Sequence, residues 1–327
     1  MAIDTTEVPA RKTSGRAARV LAAARARPGL LLTALYFVIA AALMVRYGMW
    51  MTPEKLVIVG FAIALLFAKP IAYLRDWTPV ILLLLGYEFL RGIAYTHGLP
   101  VNIHFMIDAD RFLFLGKLPP VALQDWLLDE GGPLWYDYLA TLLYMSHTIL
   151  PFGFAYYLWS TRREQFKRFT VTLLVLSYAG FLTYLLYPAM PPWMAARDGY
   201  IPEVHSVIGR VLGHLGNGPS LPSIYDFANP NPVAAMPSLH AAYPFLVFLF
   251  LLKLYGRRAL PFVLYPLAVW FSIVYTGNHY VIDAIAGVAY ALAAYYGLEW
   301  WWKRREARVR AQADAPGPPA APTPIGG

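Results

Sequence analysis

Apolar residues run along this chain in blocks of roughly 20, the length a helix needs to cross a bilayer. Eight such blocks can be read: Gly29–Trp50, Lys55–Leu74, Thr78–Thr96, Trp135–Trp159, Phe169–Tyr187, Ser238–Tyr255, Ala259–Gly277 and Tyr280–Trp302. Only the break at Gly277-Asn278 parts the last two. The pattern predicts an all-α, polytopic membrane protein with about eight transmembrane helices. No internal repeat of the solenoid kind is apparent.

The basic residues give the blocks a direction. Arg11, Lys12, Arg16, Arg19, Arg25 and Arg27 precede the first block, and Lys69 and Arg75 sit around the connection after the second. Arg162, Arg163, Lys167 and Arg168 follow the fourth, and Lys253, Arg257 and Arg258 the sixth. Lys303, Arg304, Arg305, Arg308 and Arg310 follow the eighth. With eight spans these connections share one side, which the positive-inside rule makes cytoplasmic. Both termini are then expected in the cytoplasm, with the protein in the plasma membrane. The connection from His97 to Pro133 mixes Asp108, Asp110, Asp125, Asp129 and Glu130 with Arg111 and Lys117. Its stretch Val121–Leu128 predicts a short interfacial helix. Asp108 and Asp110 read as solvated loop charge, or alternatively as ligands of a polyol headgroup.

Composition agrees. Hydrophobic residues make up 58% and charged residues 14%, against about 25% charged in soluble domains. The absence of cysteine excludes disulfides and thiolate chemistry. A net charge of +8 could suit nucleic acid, but the basic residues sit in short blocks beside apolar runs, so no nucleic-acid partner is expected. Residues 1–28 read as a basic cytoplasmic tail, and 303–327 as a cytoplasmic tail disordered toward its Pro/Ala/Gly-rich end.

The candidate chemistry lies at the mouths of two spans. His240 ends the run Ala235-Met236-Pro237-Ser238-Leu239-His240, and His279 begins His279-Tyr280-Val281-Ile282-Asp283. Ionisable groups in membrane spans are costly and point to function. Pro237 suits the first position of a helix, leaving the N–H groups of Ser238, Leu239 and His240 to form an anion site to which the Ser238 hydroxyl adds a donor. Asn278 suits the cap of the last span, with His279 in its first turn and Asp283 on the same face. A neutral imidazole of His279 can attack phosphorus, with Asp283 holding its tautomer and His240 donating a proton. Singly, each histidine reads as an ordinary interfacial residue; the two at one membrane face point to phosphoryl transfer.

Pro237-Ser238-Leu239-His240 and His279…Asp283 resemble the second and third signatures of the type 2 phosphatidic acid phosphatase superfamily. The resemblance is closer to its inositol phosphorylceramide synthase-like branch, through Tyr187-Pro188-Ala189-Met190-Pro191-Pro192-Trp193 and the His-Tyr-x-x-Asp form of the last motif. It covers roughly Thr78 to Trp302. It implies a six-helix catalytic core in residues 77–302 with two additional helices in 29–76, a phosphohistidine intermediate, and no metal or other cofactor. The first phosphatase signature, a lysine six residues ahead of Arg-Pro, is not visible. In the third, Ser272 keeps register but Ile273 stands where the phosphatases have arginine. The synthase-like branch shares that departure.

Another cation must therefore neutralise the phosphate. Arg91 is the first candidate; Glu88 lies one turn away, and the two can equally form a structural ion pair. Arg197, just past Trp193, is the second. His147 reads as a satisfied buried histidine or as lining for a polar pocket. His205 and His214 read as loop residues. Ser238, Arg91, Glu88, His147, Arg197, Asn278 and Trp193 thus form the expected substrate site around His279, Asp283 and His240. The expected activity is phosphotransfer on a lipid phosphate or phosphodiester at the outer leaflet, with inositol phosphate as the group the resemblance suggests and inositol or a lipid alcohol as acceptor. The alternatives are a polyprenyl or glycerolipid phosphate phosphatase, and a non-enzymatic lipid transporter or lipid-binding protein.

Overall fold

The structure is a computed structural model that describes residues 33–36, 38–39, 59–63, 70–94, 99–215 and 231–314. The expected first two spans fall largely outside these residues, as do both chain ends. The described residues are helical with no strand, as the apolar blocks predict. The helices are α1 (Pro70–Ala94), α2 (His104–Leu113), α3 (Pro119–Leu127), α4 (Trp135–Thr161), α5 (Arg163–Leu186) and α6 (Pro192–Arg197), then α7 (Val207–His214), α8 (Leu239–Tyr255), α9 (Leu264–Tyr275) and α10 (Val281–Ala313). A 3₁₀ segment, Gly256–Val263, joins α8 to α9.

Six of these helices form a bundle whose directions can be read from contacts. The Trp159 indole donates to Asp76 Oδ2 at 3.1 Å, and Arg163 pairs with the same carboxylate, so α4 ends and α5 begins beside the start of α1. At the other end the Tyr184 hydroxyl donates to the Pro237 carbonyl at 2.7 Å, bringing the end of α5 to the start of α8. The Trp270 indole donates to the Ala241 carbonyl at 3.1 Å, so α8 and α9 form an antiparallel hairpin. Thr183 meets the Tyr290 hydroxyl, and Arg168 pairs with Glu306, which sets α10 antiparallel to α5. Both catalytic candidates therefore lie at one end of the bundle, and the Arg163, Arg168 and Lys253 ion pairs lie at the other.

Among the described residues, the stretches 163–186, 239–275 and 281–313 are long and apolar enough to cross a membrane. The second of them is the α8–α9 hairpin. Prolines inside α1, α4 and α8 (Pro79, Pro151 and Pro244) are tolerated because neighbouring helices shield the backbone they interrupt. Aromatic packing draws the basic end together: Tyr73 stacks on Trp77 with centroids 5.2 Å apart, and Tyr36 stacks on Tyr156 at 5.3 Å. α10 continues past the expected end at Trp302, so 303–313 is helix rather than disordered tail.

Short helices cap the histidine end. α2 and α6 bury Met106, Ile107 and Met194 in one cluster with Ala189, Val204, Val233 and Tyr280. Three extended segments cross beneath them through parallel bridges, Asn102 to Ala189 and Ala189 to Ala234. The Asn102 N–H donates to the Pro188 carbonyl at 2.8 Å, and the Ala189 N–H to that of Val233 at 2.6 Å. This ladder leads directly into Met236-Pro237-Ser238.

Candidate active site

The first histidine sits in a turn set by Ser238. Ser238 is the N-cap of α8, and its hydroxyl accepts the Ala241 N–H at 3.3 Å. Pro237 therefore precedes the cap and is not the first helical residue. The difference is physical: Ser238 carries the oxygen that satisfies a first-turn donor, and proline offers none. The Ser238 N–H is not free for an anion either, because it donates to the Asp283 carbonyl at 2.9 Å. Ser238 is fully buried. It joins the two histidine turns.

The second histidine lies just ahead of α10, not in its first turn. Tyr280 is the N-cap and Asn278 stands two residues earlier, so the expected Asn278 cap is not formed. Asn278 instead turns its amide to the Thr276 hydroxyl, at 3.0 Å, and closes the turn at Gly277. Gly277 has φ of +75°, and a Cβ there would lie 2.8 Å from the His205 carbonyl, so only glycine fits. The N–H groups of Asn278 and His279 both donate to the Ile273 carbonyl, at 3.2 and 3.1 Å. Gln124 of α3 locks the turn from above: its amide donates to the carbonyls of Tyr275 at 2.8 Å and His205 at 2.9 Å, and its oxygen accepts the His205 N–H at 2.8 Å.

Asp283, three residues into α10, folds back over its own N-terminus. Oδ2 accepts the Tyr280 N–H at 2.9 Å and lies 3.5 Å from His279 Nδ1. Asp283 is wholly buried and His279 is 3% exposed. A carboxylate at Nδ1 favours the tautomer with its proton there and leaves the Nε2 lone pair outward. Outward from Nε2 is His240, whose Nδ1 lies 3.1 Å away. With the His279 proton on Nδ1, that contact requires His240 Nδ1 to be the donor. The row Asp283–His279–His240 thus ends on a proton held by His240.

His240 is gripped from behind by α4. Its ring stacks on Tyr144 with centroids 4.3 Å apart and lies 3.9 Å from the ring of His147. His147 Nδ1 donates to the Tyr144 carbonyl at 2.6 Å, which fixes its tautomer. The structure therefore brings His147 against His240, beside the candidate catalytic pair.

The other expected residues divide. Trp193 of α6 reaches the site through its backbone, donating its N–H to the Gly277 carbonyl at 3.0 Å. Arg197 lies over the Trp193 ring at 5.5 Å and pairs with Asp198 at 2.8 Å, its side chain 60% exposed. Glu88 and Arg91 are positions on α1 whose side chains lie outside the described residues.

One residue of the site was not expected. Asp110, read from the sequence as solvated charge or as a ligand of a polyol headgroup, is fully buried. Its carboxylate spans two backbone donors at the start of α10, Oδ2 to the Val281 N–H at 3.0 Å and Oδ1 to the Ile282 N–H at 2.9 Å. Burial pushes its carboxyl up to about 6; the Asp283 charge adds to the rise, and the two N–H groups hold it back.

A family model of the PAP2 superfamily matches residues 104–297, from the start of α2 into α10. The chain is 32% identical over 174 residues to the phosphoinositol dihydroceramide synthase of Bacteroides thetaiotaomicron, covering 50% of this chain and 56% of that protein. It is 31% identical over 121 residues to the inositol phosphorylceramide synthase of Candida albicans, covering 36% of this chain and 26% of that one. An inositol phosphorylceramide synthase catalytic subunit of Schizosaccharomyces pombe is 32% identical over 121 residues, 36% of this chain and 28% of that one. The chain thus spans about half the length, or less, of these curated relatives. No solved structure matches it. With the family match spanning both histidine turns, the chain belongs to the PAP2 superfamily.

Proposed function

We propose that the protein is a membrane phosphotransferase that moves a lipid headgroup phosphate through a phosphohistidine on His279, at the outer leaflet. The observation that carries this reading is the row from Asp283 through His279 to His240, with each nitrogen and oxygen in a role it can serve. His279 Nε2 attacks phosphorus, forming an N–P bond while the bond from phosphorus to the lipid oxygen breaks. His240 gives the departing alkoxide its proton, and Asp283 balances the imidazolium character that grows on His279. An acceptor hydroxyl then gives its proton to His240 and attacks the same phosphorus, releasing His279. Inositol phosphate as the transferred group and a ceramide-like alcohol as acceptor are supported by the names of the relatives. Arg91 and Arg197 are the candidates to hold the phosphate oxygens.

The 3.1 Å contact between the rings describes the resting site. A phosphorus poised for attack stands roughly 3–3.5 Å from its nucleophile. The substrate must therefore part the two rings and take the His240 proton into its own hydrogen bond. Purified protein incubated with inositol-labelled phosphatidylinositol, with and without ceramide, tests the reading. A new labelled phosphodiester dependent on ceramide supports it. Release of water-soluble inositol phosphate alone indicates a hydrolase, and no change in the label indicates a lipid-binding or transport protein.

A further inference from the structure

A helix begins with N–H groups that have no partner within the helix, and a side chain from the same helix or the residue before it commonly satisfies them. α10 divides this task. Asp283 of its own first turn takes the Tyr280 N–H, and Asp110 of α2, far back in the chain, takes those of Val281 and Ile282. Two buried carboxylates at one helix start is a costly arrangement, since each must be stripped of water. Apolar packing of Met106 and Ile107 beneath Tyr280 fixes α2 in place to deliver Asp110.

We infer that Asp110 is a positioning residue for the His279 nucleophile, clamping the start of α10 so that His279 stays put when substrate parts the two histidines. The inference rests on the phosphotransfer reading above. His279 is held on one side by its own N–H bond to Ile273 and on the other by the Val281–Ile282 peptide in the Asp110 clamp. With the clamp closed, the motion that admits phosphate falls to the His240 side. With the clamp open, the α10 start and Asp283 shift together, and the nucleophile loses its line of attack. Misplacement on that scale costs roughly tenfold to a hundredfold in rate, and it falls on the chemical step rather than on substrate binding.

The test uses full-length protein in lipid nanodiscs. Hydrogen–deuterium exchange is followed at Val281 and Ile282, and kcat and KM are measured for the lipid donor. In Asp110→Ala, exchange at both amides should accelerate by about tenfold or more, and kcat should fall while KM stays within about twofold. Asp110→Asn keeps one acceptor oxygen at nearly the same size and should recover part of both losses; it serves alone if the alanine variant does not fold. Unchanged exchange overturns the clamp. Faster exchange with unchanged kcat, or a rise in KM without a fall in kcat, overturns the positioning role. If the wild-type protein transfers no phosphate, the phosphotransfer reading fails, and the exchange measurement still decides whether the clamp exists.

Discussion

His240 Nδ1 and His279 Nε2 lie 3.1 Å apart although the residues are 39 apart in sequence. One nitrogen can accept there only because Asp283 favours a proton on the far side of the His279 ring, and so the two histidines are not equivalent. His279→Ala should abolish turnover and any acid-labile phosphoenzyme. His240→Ala should still form phosphoenzyme, slowed by about 10²–10⁴-fold for an alkoxide leaving group. With p-nitrophenol as leaving group the loss should be much smaller, because no proton is needed. Equal losses on the two substrates would contradict the assignment of His240 as the acid.

Asp283→Asn is expected to fold, since an amide oxygen can still accept the Tyr280 N–H that Asp283 Oδ2 holds at 2.9 Å. Charge support for His279 is gone, and the amide can hold the wrong tautomer. Turnover should fall roughly a hundredfold or more with little change in melting temperature. Parallel kinetics and thermal melts check the separation of the two effects.

Gly287 is where α10 comes against the Ser238 turn. A Cβ there would stand 2.2 Å from the Ser238 carbonyl oxygen, a backbone atom that cannot swing aside. The same contact face carries the hydrogen bond from the Ser238 N–H to the Asp283 carbonyl. Gly287→Ala should therefore push the two histidine turns apart, costing about 1–3 kcal/mol as overpacking does and lowering kcat as well. Gly297, whose Cβ would meet nothing within 4 Å, provides the control: Gly297→Ala should leave both measurements near wild type.

Stability should depend on pH through Asp110. Its folded-state carboxyl is raised, from 3.8 to about 6, chiefly by burial. The folded chain thus holds this proton more tightly than the unfolded one. The contribution of Asp110 to stability is greatest below about 4, declines as pH rises toward about 6, and is level above that. Asp110→Asn should flatten this part of the profile, measured by denaturant midpoint in a fixed detergent. A slope unchanged in the variant would assign it to other groups.

The orientation has its own test. Leu115, in the turn after α2 at the histidine end, is 95% exposed, and the chain has no native cysteine. Leu115→Cys should react with a membrane-impermeant maleimide in intact cells, and Arg257→Cys at the basic end only after permeabilisation. The reverse pattern would place the histidines on the cytoplasmic side.

The sequence exposes the histidines because their neighbours are unusual for a membrane helix: a Pro-Ser turn before one and an acid four residues after the other. Helix starts are harder to read. Pro237 and Asn278 both have the chemistry of a helix start, yet Ser238 and Tyr280 take the cap positions, because the turn between spans is held by the carbonyls of α9 and by Asp283. Asp110 escapes a reading from sequence for a different reason. An aspartate in a charged connection is ordinarily solvated, and the donors that bury this one lie 171 and 172 residues away. His147 was visible as an intramembrane histidine, but its place behind His240 depends on how α4 and α8 pack.

The bridges from Asn102 through Ala189 to Ala234 bear on how the molecule is made. Their rungs join parts of the chain that emerge from the ribosome at widely separated times, and the last rung runs straight into the His240 turn. Contacts so distant in sequence form late, after the costs of loop closure have been met. Early spans can enter the bilayer with these bridges still open, and the two histidine turns are joined only when α10 docks and the Asp283 carbonyl meets the Ser238 N–H. A chain stalled before Val281 would carry Asp110 with no helix start to hold and a Ser238 N–H with no Asp283 carbonyl to meet, a feature by which quality control could tell an unfinished copy from a finished one.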